Sequence, residues 1–219
     1  MSIHNEGVIT MRDDMTNAMV DGFKAFHRTY YVERPDLFDT LVEQGQSPRV
    51  MLIGCSDSRV TPTALYGSEP GDIFVVRNVA NLVPPAEQDG HLHGTSAAVD
   101  FAVGHLEVEH IIVNGHSHCG GIQALLNGAE GKYVGPWVEI ARDARADVMR
   151  EYADASPDEQ ARALEKASIL VSLENLLTFD SVRRRVIRGA LQLHGWYFDM
   201  EEGALLAYDA GKRQYERLA

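Results

Sequence analysis

The chain of 219 residues carries 20 Lys and Arg against 32 Asp and Glu, a formal net charge of −12, which repels phosphate backbones and anionic bilayers and argues for no nucleic-acid and no membrane partner. Hydrophobic residues make up 45% and charged residues 24%, with 19 Gly and 8 Pro; this is globular composition, sized for one domain with appendages rather than for a disordered or fibrous chain. Residues 1–12 lack the basic start and apolar run of a signal peptide, no apolar stretch is long enough to span a bilayer, and two cysteines, Cys55 and Cys119, make no disulfide framework, so a soluble, cytoplasmic protein is expected.

In chain order, Met15, Met19, Val20, Phe23 and Phe26 recur at helical spacing, and Leu37, Phe38 and Leu41 follow Pro35. This predicts an N-terminal helical arm over residues 1–45, placed to embrace a second subunit. Residues 50–53, 73–76 and 111–113 are short apolar runs rich in β-branched side chains, the mark of buried parallel strands. Between the last two, Ala98, Val99, Ala102, Val103 and Leu106 share one helix face, with Thr95 or Ser96 as N-cap. Ser156, Pro157 and Glu159 open a long helix that continues through Leu164, Ile169, Leu170, Leu173 and Leu177 and ends near Phe179. Arg183, Arg184, Arg185 and Arg188 form a basic cluster, read as a solvated helix or subunit contact. Residues 196–198 and 205–208, separated by Glu201, Glu202 and Gly203, predict a hairpin at the sheet edge. The expected fold is α/β: a mostly parallel β-sheet flanked by helices, with an N-terminal helical arm and a C-terminal edge hairpin, in one domain over residues 1–219.

Two turns follow predicted strands, at the carboxyl ends where open α/β sheets place ligands. They read Cys55-Ser56-Asp57-Ser58-Arg59 and Gly115-His116-Ser117-His118-Cys119-Gly120-Gly121. Both cysteines of the chain lie in them, and His116 stands three residues before Cys119. Two thiolates and an imidazole suit tetrahedral zinc, and three protein ligands leave a fourth position for water, as in catalytic sites. Two inert buried cysteines would leave the shared placement at strand ends unexplained, and a redox pair would require Cys-x-x-Cys.

These residues resemble the β-class carbonic anhydrases, zinc enzymes that interconvert carbon dioxide and bicarbonate. Cys55, Asp57 and Arg59 match the family's Cys-x-Asp-x-Arg signature and His116 with Cys119 its His-x-x-Cys signature; residues 77–81 and the Gly120-Gly121 pair also fit. The resemblance extends from about residue 41 to 196 and implies one zinc per chain on Cys55, His116 and Cys119. Asp57 then accepts a hydrogen bond from the bound water or hydroxide, Arg59 keeps Asp57 ionised and oriented, and zinc-bound hydroxide attacks carbon dioxide. It further implies Gln46, in Gln46-Ser47-Pro48, as a donor to substrate oxygen, Phe74, Val79 and Phe101 as apolar walls, and Gly120 in the substrate pocket. The family's dimeric assembly through an N-terminal arm implies a homodimer or homotetramer, with Gln46 and Phe74 beside the other subunit's zinc.

Leu52 stands where members with a second, regulatory bicarbonate site carry Trp, and Phe198 where they carry Tyr. An open zinc site is therefore the expected resting state. Phe101 replaces a tyrosine of plant members, and His91, His93, His105 and His118 are candidates for proton transfer, with none singled out. The alternatives are hydrolysis of carbon disulfide or a related heterocumulene on the same scaffold, a silent zinc protein in which Asp57 closes the fourth coordination position, and an anion-binding module at the Gly120-Gly121 helix start.

Overall fold

The β-branched runs form the centre of a six-stranded sheet in the computed structural model, which describes residues 14–87 and 93–219. The signal-peptide reading of residues 1–12 and the candidate His91 lie outside the described residues. The chain divides into two units, residues 1–46 and 47–219.

In the first unit, α1 (Asp14–His27) runs into a π-helical turn over Arg28–Glu33, and Pro35 starts α2 (Pro35–Gln44) at its first helical position, where its missing N–H costs nothing. Phe26 packs against Tyr30 at 4.9 Å and edge-on to Phe38 at 5.5 Å, while Tyr31 stacks on Phe38 at 4.8 Å. These aromatic contacts join the two helices, yet no described residue of α1, the π-turn or α2 is buried. Met15, Met19, Phe23, Val32 and Val42 are exposed.

In the second unit, β1 (Val50–Cys55) pairs in parallel with β2 (Ile73–Asn78) on one side and with β3 (His110–His116) on the other. The strand order thus reverses between β1 and β3, with β2 added on one side and β4 on the other, making a crevice at the carboxyl ends of β1 and β3. β3 is also parallel to β4 (Gln192–Asp199), and β4 to β5 (Ala204–Asp209) and β5 to β6 (Gln214–Arg217) are antiparallel. The predicted hairpin is therefore β4 with β5. It is not an edge device alone, because β4 is an interior strand and β6 forms the edge.

Helices α3 (Pro62–Tyr66), α4 (Gly94–Gly104), α5 (Gly120–Asn127), α6 (Val134–Val138), α7 (Arg142–Glu151), α8 (Pro157–Leu176) and α9 (Asp180–Ile187) complete the unit. α8 opens with the expected capping box, Ser156 accepting from the Glu159 N–H while Glu159 accepts from the Ser156 N–H, but ends at Leu176 and reaches Phe179 only as a turn. Neither Thr95 nor Ser96 caps α4, whose N-cap is His93; the Thr95 hydroxyl instead accepts from Asn78 Nδ2 at 3.3 Å. Arg185 hydrogen-bonds the carbonyls of Val103, Glu107, Val108 and Ala190, so one member of the basic cluster ties α9 to neighbouring loops.

One close approach matters for the site. A Cβ on Gly115 would stand 2.7 Å from Ile169 Cδ1, so glycine there lets α8 lie directly on β3. Glu165 lies one turn before Ile169 on the same helix face, about 5 Å further along the axis. That places it beyond the end of β3, beside Cys119.

Candidate metal centre

Cys55 is the last residue of β1 and His116 the last of β3, while Cys119 is the N-cap of α5. The topology alone therefore converges three donors. All three residues are buried, and their ligand atoms lie within 4.8 Å of one another. The two sulfurs stand 3.9 Å apart, against the about 3.8 Å that two Zn–S bonds of 2.3 Å at a tetrahedral angle require.

His116 Nδ1 lies 2.8 Å from the Ser117 carbonyl, which can only accept, so Nδ1 carries the proton and Nε2 offers its lone pair. Nε2 is buried without a hydrogen-bond partner among the described residues. A buried acceptor left unpaired beside two thiols is costly unless a cation takes it. The residues present therefore fit zinc. Hydrogen bonding to the Cys119 thiol lowers Cys55, and the same contact with burial raises Cys119, so the pair gives up its first proton readily.

Asp57 stands beside this group and is turned toward Arg59. Arg59 Nε donates to one carboxylate oxygen at 2.9 Å and Nη2 to the other at 2.7 Å, with the Arg59 N–H adding a third bond at 3.0 Å. The Arg59 side chain holds the Asp57 carboxyl well below the usual carboxylate range. Arg77 pins the same turn from β2, donating to the carbonyls of Cys55 at 2.9 Å and Asp57 at 2.7 Å. The turn after β3 is anchored to β4: the Ser117 N–H donates to the Phe198 carbonyl, and Ser117 Oγ accepts from Met200 N–H.

Val79 lies at this end of the sheet, against the start of α5. A Cβ on Gly121 would meet Val79 Cγ1 at 2.7 Å and Ala80 Cβ at 2.9 Å, whereas one on Gly120 would meet nothing within 4 Å. Gly121 is thus needed for packing, and the space over Gly120 is open. Phe74 and Phe101 lie elsewhere. Phe74 sits opposite Met51 in the sheet register, four residues before Cys55 and about 13 Å from it along the strand. Its ring is 5.9 Å from that of Phe101, which is exposed and stacks on His105. Gln46 is exposed in the coil that closes the first unit.

Glu165 escaped the sequence reading. It is 2% exposed, accepts from the Cys119 N–H at 3.0 Å and from the Tyr197 hydroxyl at 2.8 Å, and pairs with Arg162 at 3.3 Å. Burial and then the Glu165 charge push the Tyr197 phenol up, which keeps it a donor. The available signal was its position: Ala161, Leu164, Glu165, Ser168, Ile169 and Ser172 form one buried face of α8, and an acid inside an otherwise small and apolar stripe needs a reason to be there.

The carbonic anhydrase family profile matches residues 50–205. A carbonic anhydrase of Synechocystis is 39% identical over 196 residues, covering 87% of this chain and 70% of that protein. The mitochondrial β carbonic anhydrase 6 of Arabidopsis thaliana is 42% identical over 197 residues, covering 88% of this chain and 67% of that protein. Among solved structures, the β-carbonic anhydrase CcaA superposes with a TM-score of 0.87 at 36% identity, covering 94% of this chain and 93% of that one. A structure reported among two tetrameric β-carbonic anhydrases of Sordaria macrospora gives 0.78 at 28%, covering 94% and 98%.

Proposed function

From the premise that the chain belongs to the β-class carbonic anhydrases, we propose how its residues divide the family's reaction among themselves. The reaction is the zinc-dependent, reversible hydration of carbon dioxide to bicarbonate and a proton. The single observation that carries this reading is the buried Cys55, His116 and Cys119 group, with the His116 lone pair unpaired and the Asp57–Arg59 pair beside it.

Cys55, His116 and Cys119 hold the metal. Zinc bound there acts as a Lewis acid that brings the ionisation of a water molecule toward neutrality and so supplies the nucleophile. Two thiolates offset most of the metal's charge, so help from neighbours is required. Asp57, kept ionised and fixed by Arg59, accepts a hydrogen bond from that nucleophile and aims it. Its bidentate engagement with Arg59 supports an open site over one that Asp57 closes. Val79 walls the near side of the pocket, and Gly120 leaves room for the substrate.

The remaining apolar walls, Phe74 and Phe101, and the donor Gln46 serve the pocket of a second copy. The distance of Phe74 from its own metal group along β1 supports this, and so does the exposure of Phe101. A homodimer or homotetramer follows, with the arm as the embracing element; its exposed Met15, Met19 and Phe23 support that role, and a structural relative is described as tetrameric. No described helix is long and apolar enough to cross a membrane. A cytoplasmic location agrees with two cysteines that must stay reduced to bind metal.

The test is stopped-flow carbon dioxide hydration with zinc determined on the same sample. Turnover that rises through about pH 6.5 to 9 and tracks one zinc per chain is the expected result. Full zinc occupancy with no turnover at any pH in that window overturns the reading.

A further inference from the structure

The peptide bond between His118 and Cys119 is held on both sides. Its carbonyl, on His118, accepts from Arg59 Nη2 at 3.0 Å, and its N–H, on Cys119, donates to Glu165 Oε1 at 3.0 Å. A cation therefore pulls on the oxygen of this unit and an acid on its N–H. Each contact polarises the amide in the sense that strengthens the other.

The same unit needs holding. His118 has φ +56°, a left-handed conformation that costs a non-glycine residue energy unless its surroundings impose it. The surroundings are specific. Glu165 is itself fixed by the Tyr197 hydroxyl at 2.8 Å and Arg162 Nη1 at 3.3 Å. Arg162 then reaches the His118 ring through Nη2 at 2.8 Å, and that ring meets Glu201 at 2.6 Å. Arg59, on the other side, is the residue that orients Asp57.

We propose that Glu165 is a positioning residue for carbon dioxide hydration. Across the His118–Cys119 peptide it sets both the thiolate donor of Cys119 and the Arg59 guanidinium that aims Asp57. The proposal rests on the zinc enzyme reading above. Glu165 touches neither substrate nor metal, and it acts through the turn.

The experiment uses the zinc-loaded full chain and Glu165→Gln, which keeps size and shape while removing the charge. Three readouts are taken: the rate of zinc release to a chelator, the visible spectrum after cobalt(II) substitution, and kcat and KM for carbon dioxide. Glu165→Gln is expected to bind one zinc, to release it about 10- to 100-fold faster, to shift the cobalt bands, and to lower kcat about tenfold with KM nearly unchanged. Because Glu165 and Arg59 act through one peptide, adding Arg59→Ala to Glu165→Gln is expected to cost less than the product of the single effects.

Wild-type release, spectrum and kcat in Glu165→Gln overturn the proposal, as do multiplicative effects in the double variant. Should Glu165→Gln not fold, Tyr197→Phe, which removes the shorter of the two bonds to Glu165 Oε2 and leaves only Arg162 there, carries the test: faster zinc release at reduced kcat supports the clamp, and wild-type values overturn it. A wild-type chain that binds zinc but does not hydrate carbon dioxide instead overturns the functional reading itself, and is recognised before any variant is compared.

Discussion

Asp57 has both carboxylate oxygens on Arg59, and its carboxyl is held well below the usual range by that side chain. The depressed value has two consequences. Asp57 stays ionised wherever the enzyme works, so its contribution to turnover is independent of pH there. Asp57→Asn is expected to lower kcat about 100-fold by the same factor at every pH between about 6.5 and 9, with zinc still at one per chain. A ratio of variant to wild-type rates that changes across that range would show Asp57 titrating within it. For stability the direction follows from linkage: the pair's contribution is complete above the ordinary carboxylate range, declines as the pH falls below that range, and is gone once it has fallen through the depressed value. Melting temperatures of wild type and Asp57→Asn should therefore differ near neutrality and converge in strong acid.

Elements position these residues, and two substitutions separate placing a ligand from merely supporting a helix. At Gly121, a Cβ would stand 2.7 Å from Val79 Cγ1 and 3.3 Å from the Ala80 backbone nitrogen, and Ala80 already has φ +63°, so that loop has little freedom to yield. Gly121→Ala is expected to cost about 1–3 kcal/mol and, by displacing the start of α5 and with it Cys119, to lower zinc occupancy. Ser156→Ala removes the capping box at the distant start of α8, costing about 1 kcal/mol, read as a drop of about 2–4 °C in Tm with zinc and kcat unchanged. Equal effects of the two on zinc content would contradict the role given to Gly121.

The legible elements were those with a strong periodic or terminal signal. β1 and β2 announce themselves by β-branched runs, and Ser156-Pro157 with Glu159 fixes the start of α8. β3 extends past its apolar run through Asn114, Gly115 and His116, polar or small residues whose strand conformation comes from pairing with β4. β6, Gln214–Arg217, is an edge strand recruited by β5, and its one core-packed side chain, Tyr215, is too little to make a strand pattern among Gln214, Glu216 and Arg217. The three candidate metal ligands were legible because Cys55 and His116 end strands and Cys119 follows in the turn after the second. Glu165 was not, since an acid on a long helix reads as solvated until the approach of α8 to Gly115 shows which face is buried.

For the whole molecule, the first unit presents a question of area rather than of bonds. Its helices are joined by aromatic contacts at Phe26, Tyr31 and Phe38, yet Met15, Met19 and Phe23 are each more than 60% exposed and recur on one side of α1 at i, i+4 and i+8. A stripe of three large apolar side chains left in water is the signature of a surface that binds, and in the proposed assembly a second copy of the chain covers it and brings Phe74 and Phe101 to complete a pocket. Met19→Asp combined with Phe23→Asp, in the full chain, puts charge into that stripe without touching the metal ligands. The expected outcome is a smaller assembly by light scattering, zinc still at one per chain, and kcat/KM lowered about tenfold or more as the pocket loses its partner walls. An assembly unchanged in mass, or a smaller one of undiminished kcat/KM, would mean that each chain's pocket is complete without the arm. On that proposal the metal centre and the assembly fail separately, because the candidate ligands come from strand ends and a helix start of one chain while Phe74 and Phe101 come from its neighbour.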